Sequence, residues 1–232
     1  MILLAFDTAQ GALSAAVMDG EGVLAAAFEP RTRGHAEALM PLLETVLAEA
    51  ALSFADLDAL AVTIGPGTFT GLRVGLAAAR GLALARALPL VGVTTLEAVA
   101  EPAGAGAGAD ETCIALFDAR RDEVYMQAFA PSLAPLTPPL LVGLDEAVTH
   151  LPPGKLCLVG TGAPLLAPRL EAAGRTFRLS PAKPQPEAQS VGRIALARIA
   201  AQGLDAFRVA PEPLYIRAPD AKLPGGLDPA TA

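Results

Sequence analysis

The run Leu3-Leu4-Ala5-Phe6-Asp7 returns 111 residues later as Ile114-Ala115-Leu116-Phe117-Asp118, and the same offset brings Leu13 onto Val124. Each copy reads as a strand, a tight polar turn opened by Asp, and a returning strand. A chain that builds the same hairpin twice is constrained towards two lobes of one architecture. Between the copies, Ala103-Gly104-Ala105-Gly106-Ala107-Gly108-Ala109 reads as a flexible low-complexity linker. The expected division is a first lobe over residues 1–102 and a second over 110–232. The last helix and tail of the second are expected to pack back on the first.

The remaining elements fit mixed α/β lobes. Val23 to Glu29 predicts a third strand. His35 to Ala51 predicts an amphipathic helix with Leu39, Leu43, Val46, Leu47 and Ala50 on one face. Pro41 is expected in or near its first turns, where a missing N–H costs least. Ala59 to Ile64 reads as a strand, Thr70 to Ala87 as a helix and Pro89 to Val93 as a strand. In the second half Leu156 to Val159 reads as a strand, Pro164 to Ala173 as a helix and Val191 to Gln202 as the last helix.

The densest motif is Gly65-Pro66-Gly67-Thr68-Phe69-Thr70-Gly71-Leu72-Arg73-Val74-Gly75, a strand-to-helix turn with a threonine placed to cap the helix. A helix start of this kind can face an anion, or can simply require tight geometry. Two phosphate loops are excluded. GxxxxGK[ST] requires Lys then Ser or Thr, and here Leu72 and Arg73 follow Gly71; GxGxxG is missed by one position, with no carboxylate near Arg86.

Charge is divided unevenly. Residues 1–150 carry 7 basic and 18 acidic side chains, a net −11, whereas the remainder carries 10 and 6, a net +4. So acidic a first part is a poor autonomous nucleic-acid binder. Cys113 and Cys157 stand alone in apolar runs, which suggests buried free thiols rather than a redox pair. The N-terminus lacks a basic signal-peptide start, and Arg73, Arg80 and Arg86 interrupt the most apolar stretch. These features predict a soluble cytoplasmic protein without a membrane span.

Several segments together closely resemble the TsaB (YeaZ) family: Ala5-Phe6-Asp7-Thr8-Ala9, the glycine run, Gly92-Val93-Thr94-Thr95-Leu96, Asp118-Ala119-Arg120, Glu123-Val124-Tyr125, Val159-Gly160-Thr161-Gly162 and Pro213-Leu214-Tyr215-Ile216-Arg217. The resemblance covers essentially the whole chain. It implies the duplicated two-lobed α/β fold of the actin/hsp70/sugar-kinase group (ASKHA, ribonuclease H-like). It also implies a subunit of the machinery that makes threonylcarbamoyladenosine next to the tRNA anticodon. Its implied partners are the catalytic paralogue TsaD, the ATPase TsaE through the TsaB–TsaD complex, a second copy when alone, and tRNA only indirectly.

The resemblance also implies what is missing. TsaD carries a metal-binding HxxxH after the strand matching Pro89 to Val93. Here Thr95 and Val99 take those positions, and neither can replace an imidazole. No metal or resident cofactor is expected. Asp7, Asp118, Gly160 and Gly162 mark where the fold group holds a nucleotide, at most a weak or vestigial ATP or ADP site in this chain. Gly160-Thr161-Gly162 fits a nucleotide contact or a plain turn equally well. Hydrolysis is rejected, because no Ser or Cys has a His partner. The expected role is a non-catalytic scaffold, and the rival is a stand-alone ATP-dependent kinase or transferase. Gly71, Gly75, Ala78 and Ala79 form a small-residue stripe, and Leu39, Leu43 and Leu47 an apolar one; each can pack on its own sheet or on a partner. The family resemblance assigns both stripes, with His35, to the partner interface. A bulky residue at Gly75 is then expected to abolish partner binding and spare the fold.

Overall fold

β-Branched and small apolar residues alternate with turn residues to give a first sheet of five strands: β1 (Leu3–Asp7), β2 (Ala12–Met18), β3 (Val23–Pro30), β4 (Ala59–Thr63) and β5 (Leu90–Val93). Their order is β3-β2-β1-β4-β5, with β1, β4 and β5 parallel and β2 and β3 antiparallel. The second sheet is β6 (Glu111–Arg120), β7 (Glu123–Phe129), β8 (Leu140–Gly143), β9 (Lys155–Val159) and β10 (Phe177–Leu179), ordered β8-β7-β6-β9-β10. The two orders match strand for strand, so the sequence echo is a duplication in space. The copies differ at the hairpin. Asp7 pairs with Ser14, but Asp118 pairs with Val124, one residue short of the repeat, with a bulge before Arg120. The computed structural model describes residues 1–106, 108 and 110–217; linker positions 107 and 109, and residues 218–232, lie outside the described residues.

The helices are α1 (His35–Glu49), α2 (Phe69–Arg86), α3 (Thr95–Ala105), α4 (Leu144–Ala147), α5 (Ala163–Ala172) and α6 (Ala188–Gln202). α1 and α2 cover one face of the first sheet through Leu39, Leu43, Val46, Leu47 and Leu76. The other face is covered by α6, which comes from the far end of the chain, through Val191, Ile194, Ala195 and Ile199. α3 leaves the first sheet and lies on the second, against Cys113, Phe117 and Phe129, while α5 covers the opposite face. α3 and α6 therefore meet in the middle of a five-layer stack. The alanine-rich strands matter here: Ala5 and Ala16 let α6 approach so closely that Gly192 lies directly on the Met18 sulfur.

Two expectations need correction. α3 occupies part of the expected linker, running through Gly104 to Ala105. Its start is fixed by a capping box in which Thr94 Oγ1 accepts from the Glu97 N–H and the Glu97 carboxylate accepts from the Thr94 N–H. Pro41 lies in the second turn of α1, which starts after Gly34 in the left-handed region, so its missing N–H does fall inside the ladder. Cys113 and Cys157 are buried and are register partners across β6 and β9; burial pushes the Cys113 thiol up to about 12.

Burying Val191, Ile194 and Ile199 contributes about 1.5–3 kcal/mol each. That sum rivals the whole stability of a typical domain. A chain ending at residue 187 is therefore expected to lose cooperative urea unfolding, followed by circular dichroism, although every strand of the first sheet remains. A sharp transition in that fragment would show that the first lobe does not need α6.

Candidate inter-lobe site

The two hairpin turns, the starts of α1 and α2, and the tail after α6 surround a cleft of about 1200 Å³. Its walls include Gln10, Arg33, His35, Thr68, Asp118 and Tyr215. The first hairpin is stitched to the glycine run. Thr68 N–H donates to the Ala9 carbonyl at 2.8 Å, and Thr8 Oγ1 donates to the Gly71 carbonyl at 2.7 Å. Gln10 Nε2 and Thr95 Oγ1 both donate to the Pro66 carbonyl, at 3.0 and 2.5 Å. The glycines make this fit possible. A Cβ on Gly67 would stand 2.5 Å from the Ala9 carbonyl oxygen, and one on Gly75 2.5 Å from Thr8 Oγ1. The end of β1 thus lies under its own chain.

Asp7 lies beneath this seal, fully buried. Its Oδ1 accepts from Thr63 Oγ1 at 2.5 Å and from Ala9 N–H at 3.1 Å, while Oδ2 has no partner among the described residues. Burial raises its pKa to about 7, against the pull of the Thr63 and Ala9 hydrogen bonds. Asp7 is not part of the cleft wall. Asp118 is: it accepts from Arg120 N–H at 2.8 Å, pairs with the Arg120 guanidinium at 3.1 Å, and its own N–H donates to Thr161 Oγ1. Gly160 and Gly162 stay off the wall. Gly160 takes φ 98° against the Leu116 carbonyl, and Gly162 packs on Leu116, Phe117 and Val124. The turn joins β9 to α5, and its Thr161 lines the cleft.

That turn is the counterpart of the glycine run. β4 leads to Gly65 and α2 as β9 leads to Gly160 and α5, and both glycines take positive φ, 116° and 98°. The four residues expected at a nucleotide site thus separate into one sealed carboxylate, one half-buried carboxylate already paired, and two packing glycines.

The interface assignments change as well. Gly71 and Gly75 are buried against Thr8, Gly75 also against Val62, and Ala79, Leu39, Leu43 and Leu47 fill the first core; Ala78 is half-buried against it. Both stripes face inwards because the sheet needs them. His35 is half-buried on the cleft wall, its Nε2 without a partner among the described residues, while His150 pairs with Glu146 in the second lobe. Among the described residues no three His, Cys, Asp or Glu side chains gather as a metal would require. Thr95 is spent on Pro66, and Val99 packs with Phe117. No described helix is long and apolar enough to cross a membrane.

Residues 24–133 match the family described as TsaD, tRNA N6-adenosine threonylcarbamoyltransferase. The Escherichia coli tRNA threonylcarbamoyladenosine biosynthesis protein TsaB is 42% identical over 125 residues, 54% of this chain and 53% of that one. The matched region is thus about half the length of that relative. An uncharacterized protein of Mycobacterium bovis is 34% identical over 222 residues, 95% of this chain and 93% of its own. YeaZ from Pseudomonas aeruginosa superimposes with a TM-score of 0.74 at 26% identity, covering 88% of this chain and 95% of that structure. This chain belongs to the TsaB (YeaZ) family. It has the family's two-lobed ASKHA fold, which more distant structures at 11–14% identity share as fold alone. In this TsaB-family chain the site residues that sequence reasoning left without a role are Leu214, Tyr215 and Arg217, where the tail forms a wall of the cleft. The segment was visible as a motif, but an extended proline-flanked chain carries no periodicity to place it.

Asp7 makes a pH prediction. Its carboxyl titrates near 7 when folded and near its ordinary 3.8 when unfolded, so the folded state holds the proton more tightly. Its contribution to stability is complete below about pH 4, is lost as pH rises through 7, and then stays level, a fall of about 4 kcal/mol. Urea unfolding from pH 4 to 8 is expected to show a shallower decline in Asp7→Asn than in the unaltered chain; equal slopes would remove Asp7 as the cause. Gly75→Val is expected to destabilise the fold itself by about 1–3 kcal/mol through overpacking on Thr8, read by the same unfolding midpoint.

Proposed function

We propose that this chain is a non-catalytic subunit of the machinery that places a threonylcarbamoyl group on the adenosine beside the tRNA anticodon. The biosynthetic role is suggested by the name of the Escherichia coli relative. The observation that carries the non-catalytic reading is the glycine run seated on the β1–β2 turn. That seal leaves Asp7 without access to the cleft, so a nucleotide's metal would find no carboxylate at the end of β1. On this reading any ATP or ADP affinity is weak, and the cleft is a remnant of the fold group's nucleotide position.

The scaffold docks a TsaD-type catalytic subunit, helps recruit TsaE to the pair, forms a homodimer when alone, and meets tRNA only through its partners. The outward faces of α1 and α2 are the surface for this, replacing the buried stripes. They run side by side and present Met40, Phe69 and Leu84, of which Leu84 is 86% exposed. A single exposed large apolar side chain is ordinary, but a row along two neighbouring helices supports a docking face. Ala77 and Gly81 lie between Phe69 and Leu84 on the exposed side of α2, so another helix can approach closely there.

The double variant Met40→Glu with Leu84→Glu is expected to reduce co-purification with TsaD at least about tenfold, since two charges would be buried unpaired. Its circular dichroism and unfolding midpoint should stay within error. Undiminished binding in a folded variant would move the interface elsewhere. In a reconstituted modification mixture this chain alone is expected to give no product; transfer without a catalytic partner would favour the stand-alone transferase.

A further inference from the structure

The tail after α6 touches both lobes. On the first, the Pro211 carbonyl accepts from Arg80 Nη2 at 2.6 Å, and the Pro211 ring lies over Gly92, where a Cβ would be 2.7 Å away. Leu214 N–H donates to the Ile64 carbonyl at 2.7 Å, and the Leu214 carbonyl passes Gly65 at a place where a Cβ would stand 2.6 Å from it. Tyr215 packs on Phe69 with ring centroids 5.8 Å apart, and the Arg73 guanidinium sits 3.7 Å from the Phe69 centroid. Two residues later the chain reaches the second lobe, where Arg217 Nη2 donates to the Ala119 carbonyl at 2.8 Å and to Glu123 Oε2 at 2.5 Å.

The lobes are tied a second time where α3 meets α6, by Arg193 to Glu101 at 2.6 Å and Arg198 to Glu97 at 2.5 Å. No residue of α3 or α6 lines the cleft, whereas Leu214 to Arg217 do. Two ties on different sides of a cleft oppose the hinge motion that two-lobed proteins use to close on ligands. One tie could serve as the hinge, but the other must break or slide.

We propose that residues 211–217 are a latch that holds the two lobes at one separation. The first-lobe end is fixed by backbone contacts and by glycine seats at Gly65 and Gly92. Among the described residues the second-lobe end is held by the Arg217 guanidinium, so release occurs there. A partner or cleft occupant that takes Glu123, or displaces Tyr215 from Phe69, would free the lobes to move. The latch does not depend on which protein docks on α1 and α2.

Spin labels on the exposed positions 21 and 171, introduced as Glu21→Cys and Glu171→Cys, report the lobe separation, the native Cys113 and Cys157 being buried. Double electron–electron resonance is expected to give one narrow distance distribution in the latched chain. Arg217→Ala is expected to widen it at least twofold with unchanged circular dichroism; a folded Arg217→Ala variant with the same width would overturn the latch. Hydrogen exchange in the chain without Arg217→Ala supplies a second reading that survives misfolding of the variant. The Leu214 amide should be protected on the order of a hundredfold or more. Exchange at the rate of a free peptide would equally overturn the proposal.

Discussion

Thr8, Ala9 and the glycine run form the contact on which the rest of the structure turns. Three hydrogen bonds among the described residues join the hairpin to the run, Thr68 N–H to Ala9 O, Thr8 Oγ1 to Gly71 O and Gln10 Nε2 to Pro66 O, and Gly67, Gly71 and Gly75 let the two segments meet without a Cβ between them. The same contact sets the direction in which α2 leaves the sheet, places Phe69 beside Tyr215, and shuts Asp7 away from solvent. Burial under this seal, with Oδ2 unpartnered among the described residues, raises the Asp7 pKa to about 7.

Duplication accounts for the architecture, and departures from it account for the site. The two sheets share one strand order, and each has a left-handed glycine after its central parallel strand. What differs is the length of the turn that follows. In the second lobe Gly160-Thr161-Gly162 passes quickly into α5 and leaves Asp118 on the cleft wall. In the first, the longer run folds over the hairpin. The lobes also exchange helices, α3 lying on the second sheet and α6 on the first, so neither half is a self-sufficient core.

The strands were legible because an apolar run ending in Phe-Asp, repeated at a fixed offset, marks the same buried strand built twice. The position of α2 was legible from Thr68 and the turn before it, yet the direction of its small-residue face was not. A Gly and Ala stripe suits a neighbouring sheet as well as a neighbouring subunit, and only the contacts with Thr8 and Val62 distinguish them. The end of α3 was hidden by its composition, since the alternating Ala103-Gly104-Ala105 reads as linker. The pair Thr94 and Glu97 carried the missing signal, as a capping box three residues apart. The return of the last helix and tail to the first lobe is an expectation of the sequence, but the tail's place on the cleft wall is not, because its contacts are made to residues more than a hundred positions away, such as Arg80 and Ile64.

The central claim is that the first hairpin is closed to phosphate by the protein's own chain. Isothermal titration of the purified protein with magnesium and ATP tests it most directly. A sealed hairpin predicts no saturable heat at millimolar nucleotide, a dissociation constant weaker than about 1 mM, or less than about 4 kcal/mol of binding free energy. Saturable micromolar binding that Asp7→Asn abolishes, with the fold intact, would contradict it, because that carboxylate would then have to reach the cleft.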